Sequence, residues 1–213
     1  MGQAQTAVRA AVAAISDGIS QRPAPLFAAS QAETLLRGAI RRARSELLRY
    51  GRQHNVPARE LASTLIVAFA SDALVAAAQV GDGAVIAFNI SSGAATTLCD
   101  AHTGEHANET TFITSRNNPH EIAFVGHASG YNYDALALIT DGLQNLALNM
   151  PARQAFMGFW NPILSDLAQT DRPEAVSERL RLFISGERVQ SRTADDVTIA
   201  IAARNHNSRE DQQ

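Results

Sequence analysis

At 213 residues and 46% hydrophobic, the chain can bury one sizeable core without disulfide or metal staples. Its single cysteine, Cys99, excludes an internal disulfide framework and fits a reducing compartment. A formal charge of −3 argues against nucleic-acid binding through overall positive charge, and no apolar run is long enough to cross a bilayer.

The N-terminus carries one arginine and a short apolar stretch, which makes a poor signal peptide. Gly2 and Thr6 match a myristoylation pattern with nothing else to support an anchor. The expectation is a soluble cytoplasmic protein with neither nucleic acid nor membrane as a partner. Residues 1–204 are expected to form a single domain, with 205–213 a flexible tail.

Residues 7–16 alternate loosely and stop at Asp17-Gly18, which predicts a strand and then a turn. A proline-containing loop with Pro23 and Pro25 follows. Between Leu26 and Arg52 the pattern becomes helical: Leu36, Ile40, Ala43 and Leu47 form one apolar stripe. Arg37, Arg41, Arg44 and Arg52 lie off it and read as a solvated face. "NVPARELA" predicts a short helical turn. "STLIVAFAS", "ALVAAAQV" and "GAVIAFNIS" predict an antiparallel meander turning at Ser71-Asp72 and at Gly81-Asp82-Gly83, and "SGAATTLC" a further strand.

Residues 100–120 are polar and aperiodic, a long loop or an insertion. "EIAFVGHA" and "DALALITDG" return to strand character. Two helices follow. In the first, Phe156, Trp160, Ile163 and Leu167 share a face, with Pro162 expected to kink or split it. The second starts with Pro173 in its first turn, closes at Gly186, and carries Val176, Leu180, Phe183 and Ile184 as its buried stripe. "DDVTIAIAARN" is the last strand. Sequential strands dominate the middle of the chain, which favours an α+β layered sandwich over a doubly wound sheet.

Asp-Gly is a favoured hairpin turn, and Gly81-Asp82-Gly83 alone reads best that way. Asp17 and Asp141 differ, because helix-forming or proline-rich sequence follows them and not a returning strand. Asp195 and Asp196 precede the last strand. Four segments thus place an aspartate at an expected strand edge: Asp17, Asp82, Asp141 and Asp195. If those edges share one end of the sheets, the carboxylates converge, and an oxygen-only set suits Mg²⁺ or Mn²⁺. If they lie more than about 10 Å apart they cannot share a metal pair, and the Asp-Gly sites are only turns.

The ordered set resembles the protein phosphatase 2C (PPM) family, most closely its bacterial branch. "AAISDG" is similar to the family's first metal motif, "ASTLIVAF" to its Ser-Thr strand and "AQVGDGAVIAF" to its Val-Gly-Asp turn. "HANETTFIT" looks like a loop of the bacterial branch, "LALITDGL" like the later strand-Asp-Gly motif and "TADDVTIAIA" like the closing strand.

The resemblance implies a four-layer αββα sandwich with two central, mostly antiparallel sheets, and a metal-dependent serine/threonine protein phosphatase acting on phosphoproteins. It implies two Mg²⁺ or Mn²⁺ ions and, in some family members, a third. Asp17 would bridge two ions with the Gly18 carbonyl, Asp141 and Asp195 would ligate the first, and Asp82 with Asp141 would hold the third. Asp17, Asp141 and Asp195 would be the catalytic set, and Asp196 would stand beside it. The implied reaction is direct attack on phosphorus by a metal-activated hydroxide.

Two departures accompany the resemblance. The family's earlier strand with an acidic ligand has no counterpart, because residues 1–16 contain no Asp or Glu. The expectation is a truncated chain or a degenerate member, and the alternative function is a catalytically weak or inactive regulatory or binding module. Ile19-Ser20 replaces a histidine that eukaryotic relatives use as an acid, and bacterial relatives often lack it too. His102, His106, His120 and His127 are candidate acids for which surface or structural roles weigh more.

Overall fold

The computed structural model describes residues 3–20, 29–100, 111–115, 123–129, 132–170 and 172–204. They divide into two compact units, one of Met1–Val85 with Leu98–Tyr131, the other of Ile86–Thr97 with Asn132–Gln213.

The first unit opens with helix α1 (Gln3–Ser20), where a strand and turn were expected over 7–18. The physical reason lies in the alanines. Alanine has the best helix propensity, and Ala7, Ala11, Ala14 and Ile15 recur at helical spacing. Ala7 and Ala11 are buried, and Ala14 and Ile15 pack against the same core.

Helix α2 (Ala29–His54) matches its predicted stripe, with Leu36, Ile40, Ala43 and Leu47 all buried. Each large aliphatic side chain so buried contributes roughly 1.5–3 kcal/mol. Gly18 of α1 faces Leu35 of α2 so closely that a Cβ there would lie 2.2 Å from the Leu35 Cδ1. This glycine therefore serves a close helix–helix approach. A 3-10 turn at Ala58–Leu61 matches the expected short helical turn.

Strands β1 (Leu65–Ala70), β2 (Leu74–Val80) and β5 (Ala123–Ser129) form a sheet in the order β1-β2-β5, with both pairings antiparallel. The β1–β2 hairpin turns where expected, and the Ser71 amide donates to the Leu74 carbonyl at 2.8 Å. All seven residues of central β2 are buried, and all but Gln79 are apolar.

The expected meander does not continue past Val80. Strand β3 (Ala84–Asn89) belongs to a second sheet, ordered β4-β3-β6-β9, with β4 (Ala94–Asp100), β6 (Ala135–Ile139) and β9 (Ile199–Ala203). Gly81-Asp82-Gly83 is thus a sheet-to-sheet connection and not a hairpin turn. β3 is buried over five of its six residues, from Ala84 to Phe88. β6 and β9 pair antiparallel, from Ala135 opposite Ala203 to Ile139 opposite Ile199.

In the second unit, helix α3 (Gln144–Ala147) and the two-residue ladder of β7 (Leu148–Asn149) and β8 (Gln154–Ala155) lead into α4 (Met157–Gln169). Trp160 is fully buried against Phe88, their ring centroids 4.9 Å apart, and its indole N–H donates to the Ala147 carbonyl at 2.8 Å. Pro162 does not split α4, because buried Trp160 and Leu164 on either side of it anchor both halves. The buried face is Phe159, Trp160 and Leu164, rotated from the expected one, and Phe156 is 54% exposed. In α5 (Pro173–Ile184) Val176 is buried but Phe183 is 41% exposed, so the expected stripe is only partly covered. Helix α6 (Glu187–Gln190) precedes β9.

Most of the polar 100–120 segment lies outside the described residues, as do the side chains of His102, His106, His120 and His127 and the tail 205–213. Of the loop, Ile113 is buried, its amide donates to the Ser63 carbonyl at 2.8 Å, and the Arg44 guanidinium donates to its carbonyl. Arg44 therefore holds a loop and is not simply part of a solvated face. No helix among the described residues is long and apolar enough to cross a membrane.

Candidate active site

β6 carries five apolar residues to Thr140, where the backbone is still extended, and then closes into a 3-10 turn at Asp141–Leu143. Gly142 and Leu143 are buried, whereas Asp141 is exposed. The run predicted as a strand ending on Asp-Gly is therefore a strand ending on Asp-Gly.

Because β9 runs antiparallel to β6 with Ile199 opposite Ile139, the residues before β9 share the sheet end occupied by Asp141. Three hydrogen bonds join the two segments. The Thr140 amide donates to the Thr198 carbonyl at 3.1 Å, and the Thr198 amide donates to the Thr140 hydroxyl at 2.9 Å. That hydroxyl donates in turn to the Asp196 carbonyl at 3.3 Å.

Gly142 completes the junction. A Cβ there would lie 2.9 Å from the Asp196 carbonyl oxygen and 3.1 Å from Val197, so the two segments meet backbone to backbone. The Asp195 amide donates to the Thr193 hydroxyl at 3.2 Å, which shapes the approach to β9. Asp141, Asp195 and Asp196 are all exposed at this end.

Asp82 is half-buried between two glycines in the first unit. Gly81 takes a φ of 108°, and a Cβ there would strike Thr64 at 2.3 Å. Gln79, wholly buried, donates from Nε2 to the Gly81 carbonyl at 3.3 Å and to the Gly83 carbonyl at 3.1 Å. This one amide pinches the loop on both sides of Asp82. Asp17 also lies in the first unit, exposed, on the last turns of α1. The strand edge on which its role and that of the Gly18 carbonyl rested is a helix.

Asp141, Asp195 and Asp196 have the hard-oxygen chemistry that Mg²⁺ and Mn²⁺ prefer. Among the described residues, however, no three or more His, Cys, Asp or Glu side chains are grouped so as to hold a metal. They do not make up the ligand set of a two-ion centre. Sequence reasoning missed Thr140, Gln79 and the packing role of Gly142. Thr140 and Gly142 flank Asp141 and meet partners more than fifty residues away, which one-dimensional spacing does not show. Gln79 instead bonds only two and four residues along the chain, and its available signal was a lone polar residue in an apolar run.

The protein phosphatase 2C family model matches residues 1–184. Serine/threonine-protein phosphatase 3 of Escherichia coli (strain K12) is 31% identical over 147 residues, covering 68% of this chain and 56% of that protein. The chain thus spans little more than half the length of that relative. The Mycobacterium tuberculosis serine/threonine phosphatase PstP/Ppp matches with a TM-score of 0.58 at 14% identity, over 96% of this chain and 83% of that one. The catalytic domain of serine threonine protein phosphatase PstP in complex with two manganese ions gives 0.55 at 14% identity, over 93% and 80%. These likenesses show the α+β sandwich fold. With the match over residues 1–184, they establish that the chain belongs to the protein phosphatase 2C family.

Proposed function

We propose that the chain is a divalent-cation-dependent phosphatase domain acting on phosphoserine and phosphothreonine in proteins. One observation carries the reading: Asp141 and the Asp195-Asp196 pair stand at one sheet end, held there by the Thr140–Thr198 hydrogen bonds. A solved structure of the same fold is a complex with two manganese ions, which supports Mn²⁺ or Mg²⁺ here. Asp141 and Asp195 are the proposed cation ligands in the second unit, and Asp82 is a further one in the first. Asp17 and Gly18, also expected ligands, lie at the end of α1 in the first unit. The reaction class is hydrolysis of a phosphomonoester: water supplies the hydroxyl to phosphorus, the ester P–O bond breaks, and the serine or threonine oxygen leaves with a proton.

A second reading has its own observation. The described residues do not group three ligands, which favours a phosphatase-like module that binds a phosphoprotein without turnover.

The purified chain with Mn²⁺ or Mg²⁺ should release phosphate from a phosphothreonine peptide, stop in excess chelator, and stop in Asp141→Asn. Turnover that persists in chelator or in that variant sinks the first reading. Calorimetric titration with Mn²⁺ separates the two readings: usable binding that Asp141→Asn weakens supports the enzyme. Peptide binding with neither metal uptake nor phosphate release supports the module.

A further inference from the structure

Away from the aspartates, the second unit has a cleft of about 470 Å³ among α4, α5 and α6, within the range of roughly 300–1,000 Å³ typical of small-molecule sites. Val176 and Val189 are buried in its lining. Three phenylalanines also line it. Phe159 and Phe183 hold their ring centroids 5.7 Å apart, and Phe156 and Phe183 leave 54% and 41% of their surfaces exposed. Gly158 makes room at the lip, because a Cβ there would lie 2.7 Å from the Phe156 ring.

The charge lining this cleft is one-sided. Arg179 is held by Asp166 through two hydrogen bonds, of 2.8 and 2.6 Å, so that pair is internally neutral. Arg188 and Arg192 line the same cleft, exposed, with no ion pair among the described residues. Two like charges beside an apolar, aromatic wall are best satisfied by an anion with a flat apolar body. Guanidinium groups stack on aromatic faces and grip carboxylates or phosphates in a bidentate manner, and phenyl rings favour offset or edge contact with another ring.

We propose that this cleft is a binding site for a small planar aromatic anion, an aryl carboxylate or its like, held by Phe156, Phe159 and Phe183 and by the guanidinium groups of Arg188 and Arg192. The proposal is independent of the phosphatase reading and is tested without turnover.

The probe is anilinonaphthalenesulfonate, titrated into the full chain by fluorescence and then displaced by 2-naphthoate, by neutral 2-naphthalenemethanol and by cyclohexanecarboxylate. 2-Naphthoate should displace it at concentrations about tenfold lower than either of the others, since it alone has both ring and charge. The Arg188→Gln/Arg192→Gln double variant should weaken 2-naphthoate by about tenfold, with near-ultraviolet circular dichroism unchanged. Arg181→Gln, outside the cleft, should change nothing.

Equal displacement by the neutral alcohol would overturn the proposal in the native chain, with no variant needed. So would unaltered 2-naphthoate affinity in a folded double variant. Binding to phosphatidylglycerol vesicles that tracks Arg188 and Arg192 without displacement by 2-naphthoate would assign the cleft to a membrane, and a dimer not dispersed by 2-naphthoate would assign it to a second copy. Either would overturn the small-anion assignment.

Discussion

Thr140 and Thr198 exchange a pair of hydrogen bonds across the ends of β6 and β9, and the second of them uses the Thr140 side chain in place of its carbonyl. The Thr140 carbonyl is thereby free to accept from the Leu143 amide at 3.1 Å, which starts the turn that presents Asp141. One threonine thus continues the ladder and ends the strand.

Thr140→Val keeps the β-branched shape and removes both roles of the hydroxyl. The Thr198 amide loses its acceptor, and stability should fall by about 1–2 kcal/mol. Thr140→Ser should recover most of it. Urea denaturation of the three proteins measures the difference. Under the proposed function, Mn²⁺ affinity should fall in the same order, with Val weakest.

Gly142→Ala places a methyl group 2.9 Å from the Asp196 carbonyl oxygen. Backbone cannot swing aside as a side chain can, so the β9 approach must shift. A destabilisation of about 1–3 kcal/mol is expected, as for overpacked sites. Amide hydrogen exchange should rise at Thr198, whose partner is moved. Wild-type protection there would contradict this account.

Trp160 is the chain's one tryptophan, so its fluorescence reports the second unit directly. Trp160→Ala should cost about 3–5 kcal/mol, as large aromatic truncations in cores do. Trp160→Phe keeps contact with Phe88 but leaves the Ala147 carbonyl without its indole donor. It should cost about 1–2 kcal/mol. Thermal melts followed by circular dichroism distinguish the two.

The Arg179 hydrogen bonds hold the Asp166 carboxyl below its ordinary pKa, with burial opposing and the Coulombic attraction of Arg179 adding to the shift. A lowered folded pKa means that the unfolded chain binds the proton more readily. The pair's contribution is therefore fully present above the ordinary aspartate value, about 4, and is lost as pH falls through the depressed one. Arg179→Gln should lower stability near pH 7 only slightly, because the pair is exposed, and that deficit should close as pH falls through the depressed pKa, which flattens the acid limb. An unaltered acid limb would remove this pair from the account.

Much of the fold was legible in the residues themselves. The strands from Leu65 to Cys99 and from Ala135 to Ile139 are bounded by polar or glycine-containing turns. The α2 stripe of Leu36, Ile40, Ala43 and Leu47 has one period only. The reading failed where a short apolar run fits two periods. Ala7 to Ile15 alternates loosely enough to pass for a strand, yet its alanines favour a helix, and the packing of α1 on α2 decides the matter. That error carried Asp17 and Gly18 into a strand-end motif they do not occupy.

By itself, the sequence determined which segments are apolar, with what period, and which aspartates follow them. Local chemistry of that kind depends only on neighbours in the chain. Only the tertiary structure decided that Gly81-Asp82-Gly83 crosses between sheets, that Gln79 pinches the loop around Asp82, and that Asp141 and Asp195 share one sheet end. Those facts depend on which strands pair and on which carbonyls a buried amide must satisfy. Pairing joins residues more than fifty positions apart, such as Thr140 and Thr198, and no spacing along the chain encodes it.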